Sequence, residues 1–448
     1  MSRRARRVRR ASVGRTMNRR EFLRLSGAGL AGAALLGAAS CGGGEQGQGG
    51  TDITFTFGPD KVVPDLVDQF NEQNDSGIQV TYREMPADTG QYFDQLQTEL
   101  QSGASEIDVI AGDVTWPAQL AANGWVIDLS DRFTEDMRED FLSAPLQTNT
   151  YEGRVYGVPW QVGAGMLYYR SDLLEESGFS GPPKTWDELK EQAQKVQQDS
   201  GSEYGYVFQG ADYEGGVVNG LEYIWTHGGE VLDQEGSESV AIDSPESTEA
   251  LRTERSMLED GIAPQGVTTY KEQESQQAFL RGDAVFLRYW PNAYELLSDE
   301  SQSSISPEQV GIAPLPVSSA GKQSFGALGG WGMLINAASQ NQDAAWEFIE
   351  FMTAYDQLKF RAMEGGYLPS RHSLYSDGEL LDAVRIMELG WEAIQNSRPR
   401  PVSPYYSDMS VKMAEQFNAS LNGETSPEEA VSTLQSELSE IIRQAGEA

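Results

Sequence analysis

Three tryptophans stand where an indole ring can do recognition chemistry. They are Trp160 after Val158-Pro159, Trp290 within Leu287-Arg288-Tyr289-Trp290-Pro291, and Trp331 within Leu328-Gly329-Gly330-Trp331-Gly332. A flat apolar ring suits the C–H face of a sugar, while carboxylates and amides beside it satisfy the hydroxyls. Consecutive glycines let backbone approach a ligand closely, which favours Trp331 as a contact over a plain core residue. Asp113 closes the apolar run Ile107-Asp108-Val109-Ile110-Ala111-Gly112 and precedes Val114-Thr115-Trp116. That position is the crevice at the carboxyl end of a strand, where open α/β sheets bind ligands.

Most enzyme chemistries lack their residues. The chain has two histidines, His227 and His372, and none of the HExxH, GxSxG or GxxxxGK[ST] patterns, which argues against a histidine-based triad and a phosphate loop. Paired carboxylates for glycoside hydrolysis carry no specificity here, because so many acids produce close pairs by chance. Cys41 is the sole cysteine. Once it is lipidated, disulfides, thiolate metal sites and a cysteine nucleophile are excluded, and the chemistry calls for no metal and no cofactor.

These residues need a scaffold, and the hydrophobic pattern supplies an α/β one. Ile53, Phe55 and Phe57 alternate as a strand, residues 64–70 read as a helix, 78–82 as a strand, 91–100 as a helix and 107–110 as a strand. That order predicts a parallel sheet with helices on its faces. Further strands are expected at 204–208, 284–287, 310–313 and 333–335, with helices over 343–355 and from 408 to the end. Thr185-Trp186-Asp187-Glu188 and Ser426-Pro427-Glu428-Glu429 are helix-start signatures.

The N-terminus is an address. Asn18-Arg19-Arg20-Glu21-Phe22-Leu23-Arg24, a weakly apolar stretch over 30–36 and Ala38-Ala39-Ser40-Cys41 resemble a Tat-type lipoprotein signal over residues 1–40. The stretch is too short for a membrane span of about 20 apolar residues. Residues 41–51 read as a flexible glycine-rich tether. The expected location is extracytoplasmic, at the outer face of the cytoplasmic membrane, held by lipid on Cys41. The whole chain carries −35; ten arginines and one glutamate fall within residues 1–40, so the remaining 23 basic and 67 acidic residues give −44. A field of that sign repels nucleic acid.

Longer strings resemble a known family. Tyr168-Tyr169-Arg170-Ser171-Asp172-Leu173-Leu174, Pro182-Pro183-Lys184-Thr185-Trp186-Asp187-Glu188-Leu189 and Gly311-Ile312-Ala313-Pro314-Leu315-Pro316 look like the extracellular solute-binding proteins of ABC sugar importers. Phe208-Gln209-Gly210, Tyr213-Glu214-Gly215, Trp290-Pro291 and Arg400-Pro401 are most similar to the trehalose/maltose-binding lipoproteins of that group. The resemblance implies an α/β, two-lobed periplasmic-binding-protein fold (type II, maltodextrin-binding-like) with a cleft and a hinge. Its lobes are expected over 52–162 with 291–330, and over 163–290 with 331–448. It implies sugar contacts by Asp113, Trp290, Gly330, Trp331 and Arg400, the last through its forked guanidinium. Where those relatives place a tyrosine, an aspartate and a second tyrosine, this chain has Gln161, Gly163 and Asn292. Gln161 and Asn292 are therefore expected to meet ligand hydroxyls.

The implied function is that of a non-enzymatic, monomeric substrate-binding lipoprotein. It captures a di- or oligosaccharide, a trehalose- or maltose-like α-glucoside, and delivers it to the permease subunits of an ABC transporter. The alternatives are a receptor for another polar solute (a polyol, a glycerol phosphodiester or a polyamine) and a secreted glycoside-active enzyme.

Overall fold

Alternation along Thr51–Phe57 (β1) turns Ile53, Phe55 and Phe57 into a buried core. A computed structural model describes residues 50–233 and 239–446. The signal segment, Cys41 and nearly all of the expected tether lie outside the described residues. Helices Val63–Gln73 (α1) and Thr89–Gln101 (α2) alternate with strands Ile78–Glu84 (β2) and Val109–Asp113 (β3). β1 pairs in parallel with both β2 and β3, as the helix–strand order predicts. Pro117–Ala122 (α3) follows, and then Gly157–Ala164 (β4) and Met166–Arg170 (β5).

Downstream come Trp186–Ser200 (α4), Tyr204–Val207 (β6), Glu214–His227 (α5) and Pro245–Glu259 (α6). Strands Ala284–Tyr289 (β7), Val310–Ala313 (β8) and Gly326–Ile335 (β9) are followed by helix Tyr355–Gly365 (α7). Short strands Leu368–Pro369 (β10) and Ser397–Arg398 (β11) precede helices Tyr406–Asn422 (α8) and Pro427–Gly446 (α9). One sheet runs β10-β4-β9-β3-β1-β2, with β11 beside β9; a second runs β8-β5-β7-β6. The sheets are mixed, because β9 lies antiparallel to β3 and β4, and β5 antiparallel to β7 and β8.

Sheet membership divides the lobes differently from the expectation. Val310–Ala313 belongs to the second sheet through its ladder with β5, not to the first lobe. Gly326–Ile335 is an inner strand of the first sheet, and Phe348 and Ile349 pack in that sheet's core, Phe348 against Phe55 and Phe70, rather than in the second lobe's. The second lobe regains the chain only where α8 and α9 supply Met409, Phe417 and Leu434 to the other core. The glycines of β9 hide its strand period. The chain thus passes between the sheets at 164–166, 313–326 and 398–406.

Helix ends follow local chemistry. Thr185 Oγ1 accepts from Glu188 N–H at 3.2 Å, whereas the Glu188 carboxylate accepts from Lys184 N–H at 2.7 Å, one residue before the position a full capping box uses. The expected C-terminal helix is two. Gly423, at φ 78°, ends α8, and Ser426 Oγ accepts from Glu429 N–H at 3.1 Å to start α9. No helix among the described residues is long and apolar enough to cross a membrane.

Candidate ligand-binding site

Strand ends and chain crossings open a cavity of about 760 Å³ between the sheets. Asp113, Gln161, Trp290, Asn292, Gly330, Trp331 and Arg400 all line it, whereas Trp160 does not.

On the first-lobe side, Trp331 is gripped edge-on by Phe57 and Trp116, with ring centroids 5.0 and 5.5 Å away, while Tyr92 stacks at 6.0 Å. Gly330 holds φ at 129°, and a Cβ there would lie 2.1 Å from the Gln161 carbonyl oxygen. Only glycine fits both that dihedral and that approach. Trp160 departs from the expectation of an exposed platform. It is 1% exposed and packs edge-on against Phe55 and Phe57 instead of lining the cavity.

On the second-lobe side, the Arg288 guanidinium lies 4.2 Å from the Trp290 ring centroid. Arg288 is itself fixed by Glu222 in a fully buried ion pair, with Nε 2.7 Å from Oε2. Glu222 Oε1 also accepts from Ala327 N–H at 2.8 Å, tying the second lobe's α5 to the start of β9. A Cβ on Gly329 would come 2.8 Å from the Trp290 ring, and one on Gly163 3.7 Å. Glycine at 163, where relatives of the resemblance carry an aspartate, leaves the indole room against first-lobe backbone.

The polar floor differs from the implied arrangement, in which Asp113 and Arg400 meet the ligand separately. Here they are bonded to each other. Arg400 Nη2 donates to Asp113 Oδ1 at 3.0 Å, and Nη1 donates to Glu214 Oε1. Burial alone would lower the Arg400 pKa, but the two carboxylates outweigh it and the net shift is upward. Asp113 Oδ1 also accepts from Thr115 N–H at 3.0 Å and Thr115 Oγ1 at 2.8 Å, so these three bonds all fall on Oδ1 and leave Oδ2 to a ligand. Tyr406 and Ser410 hydroxyls donate to Glu214, which completes the floor.

Two further bridges span the rim. Lys271 Nζ donates to Asp88 Oδ2 at 3.0 Å, and Ser407 Oγ donates to Gln119 Oε1 at 2.6 Å. Burial pushes the Asp88 pKa up, but the Gln91 N–H and Lys271 outweigh it and leave it below the usual carboxylate range. Sequence reasoning missed Trp116, Glu214, Lys271 and Tyr367. Trp116 and Glu214 adjoin strings singled out above, whereas Lys271 and Tyr367 carry no local signal and reach the cavity only through tertiary packing.

Two α/β lobes joined by three passes of chain, with an aromatic and polar cavity between them, define a solute-binding receptor. The chain belongs to the bacterial extracellular solute-binding proteins, whose family model matches residues 58–359. It is 32% identical over 374 residues, 82% of this chain, to a probable ABC transporter-binding protein of Deinococcus radiodurans, covering 87% of that protein. The maltose-bound MalE3 structure of T. maritima is 37% identical with a TM-score of 0.79, over 87% of this chain and 99% of that one. A solute-binding protein of Agrobacterium radiobacter K84 in complex with ribitol is 25% identical with a TM-score of 0.76, over 87% and 98%.

Proposed function

We propose that this protein captures a di- or oligosaccharide of the maltose or trehalose class in the interlobe cavity and delivers it to an ABC permease. In this reading Cys41 carries the lipid that holds the receptor at the outer face of the cytoplasmic membrane. One observation carries the ligand class: two indoles, Trp290 and Trp331, line the same cavity as Gln161, Asn292 and Asp113, while both cavity cations are already engaged by carboxylates. Such a lining suits neutral rings with many hydroxyls and offers an anionic ligand little. Two aromatic platforms favour cyclic sugars over open-chain polyols, and the likeness to the maltose-bound MalE3 supports the same choice. The lobes close on the ligand by hinge motion at the three crossings.

Calorimetric titration of the tether-free protein tests this. Maltose or trehalose is expected to bind saturably, whereas ribitol and a glycerol phosphodiester are not. Binding of ribitol alone would replace the sugar reading with a polyol one, and turnover of a glucoside would replace it with an enzyme. Trp290→Ala should weaken maltose binding by about 2 kcal/mol, as loss of a desolvated aromatic anchor does. An unchanged affinity would remove Trp290 from the site.

A further inference from the structure

Behind Gln161 lies Arg361, a residue with no counterpart in the sequence reading and 2% exposed. Its guanidinium sits 3.6 Å from the Trp160 ring centroid and 4.4 Å from that of Tyr367. Nη2 donates to Asp60 Oδ2 at 2.6 Å, in an ion pair whose side chains are 2% and 1% exposed. Asp60 is fixed in turn, because its Oδ1 accepts from Val62 N–H at 2.7 Å and Val63 N–H at 3.0 Å as α1 begins. The same Nη2 donates to Gln161 Oε1 at 3.0 Å.

A guanidinium has donors only, so the Gln161 amide can meet it only through its carbonyl oxygen. Among the described residues the amide –NH2 meets no hydrogen-bond partner and is not sealed off in the core, and Gln161 lines the cavity. That group is therefore the part of the side chain offered to a ligand. We propose that Arg361 is a specificity-setting positioning residue, which by fixing the Gln161 amide makes this stretch of cavity wall a hydrogen-bond donor. The bound solute must then place an acceptor there, an ether oxygen or a hydroxyl oxygen, and a group that can only donate is rejected. The inference rests on the sugar reading and adds the polarity of one contact to it.

Gln161→Glu isolates the idea. It keeps the side-chain shape, removes the –NH2, and sets a second carboxylate beside the buried Arg361 guanidinium. The expected result is a urea unfolding midpoint at or above wild type, together with maltose affinity at least tenfold lower by calorimetry. In an Asp60→Asn/Arg361→Met background, which removes the ion pair as a unit, the amide is no longer oriented, so Gln161→Glu should cost markedly fewer fold.

Maltose binding by Gln161→Glu within twofold of wild type would overturn the donor assignment. Equal losses in the two backgrounds would overturn the role of Arg361. If wild-type protein binds no maltose, the sugar reading falls and takes the ligand half of the proposal with it. A Gln161→Glu protein less stable than wild type would separately overturn the contact with Arg361.

Discussion

Arg400→Met is expected to lower unfolding free energy by roughly 3–5 kcal/mol, because it leaves two carboxylates without their cation in a largely dry floor. The Arg400 side chain is 4% exposed, with Asp113 at 12% and Glu214 at 26%. Urea unfolding at neutral pH measures the loss. Adding Asp113→Asn and Glu214→Gln to Arg400→Met should recover most of it, since neutral amides no longer need a counter-ion. A loss below about 1 kcal/mol, of the size seen for solvent-exposed pairs, would mean that water screens the floor. The triad joins the end of β3, the start of α5 and the crossing at 398–406, so the substitution should also loosen the geometry between the lobes.

Glu254 is expected to make stability depend on pH in the direction opposite to a salt-bridged acid. It lies on α6, 3% exposed, and burial pushes its pKa from 4.5 up to about 8. The buried Tyr206 and Tyr223 hydroxyls beside it feel its charge. The folded state therefore holds the proton more tightly than the unfolded chain. This contribution is fully present below pH 4.5 and is lost progressively as pH rises through about 8, on the order of 3 kcal/mol by pH 7. Glu254→Gln should remove that slope and raise the urea midpoint at pH 8. A variant whose stability tracks wild type between pH 5 and 8 would show that the carboxyl ionises in place at little cost.

Much of the scaffold was legible because its signals are local. The alternation of Ile53, Phe55 and Phe57, the Thr185 cap and the proline at 427 each announce an element from a few neighbouring residues. β9 was only half legible. Gly326, Gly329, Gly330 and Gly332 interrupt its apolar alternation, and its pairing with β3 and β4 is a contact between residues more than 150 positions apart. That strand, together with the ladder of Val310–Ala313 on β5, is why the lobe boundaries differ from the expectation.

The site was legible as a set of residues and illegible as a network. Asp113 and Arg400 were each marked for the cavity, but a pair 287 positions apart gives no sign in sequence that it is bonded. Arg361 shows the limit more sharply. It sits inside an amphipathic helix, and only the folded chain brings Asp60 and Gln161 to its two sides.

Trp290 has a consequence for observation. Its indole lies under Arg288 of its own lobe and against Gly163 and Gly329 of the other, so its dielectric surroundings depend on how far apart the lobes stand. The receptor thus carries its own optical gauge. On adding saturating maltose, the tryptophan emission maximum should shift in wild-type protein and shift less in Trp290→Phe, where Trp116 and Trp331 are the remaining cavity indoles, without any attached dye.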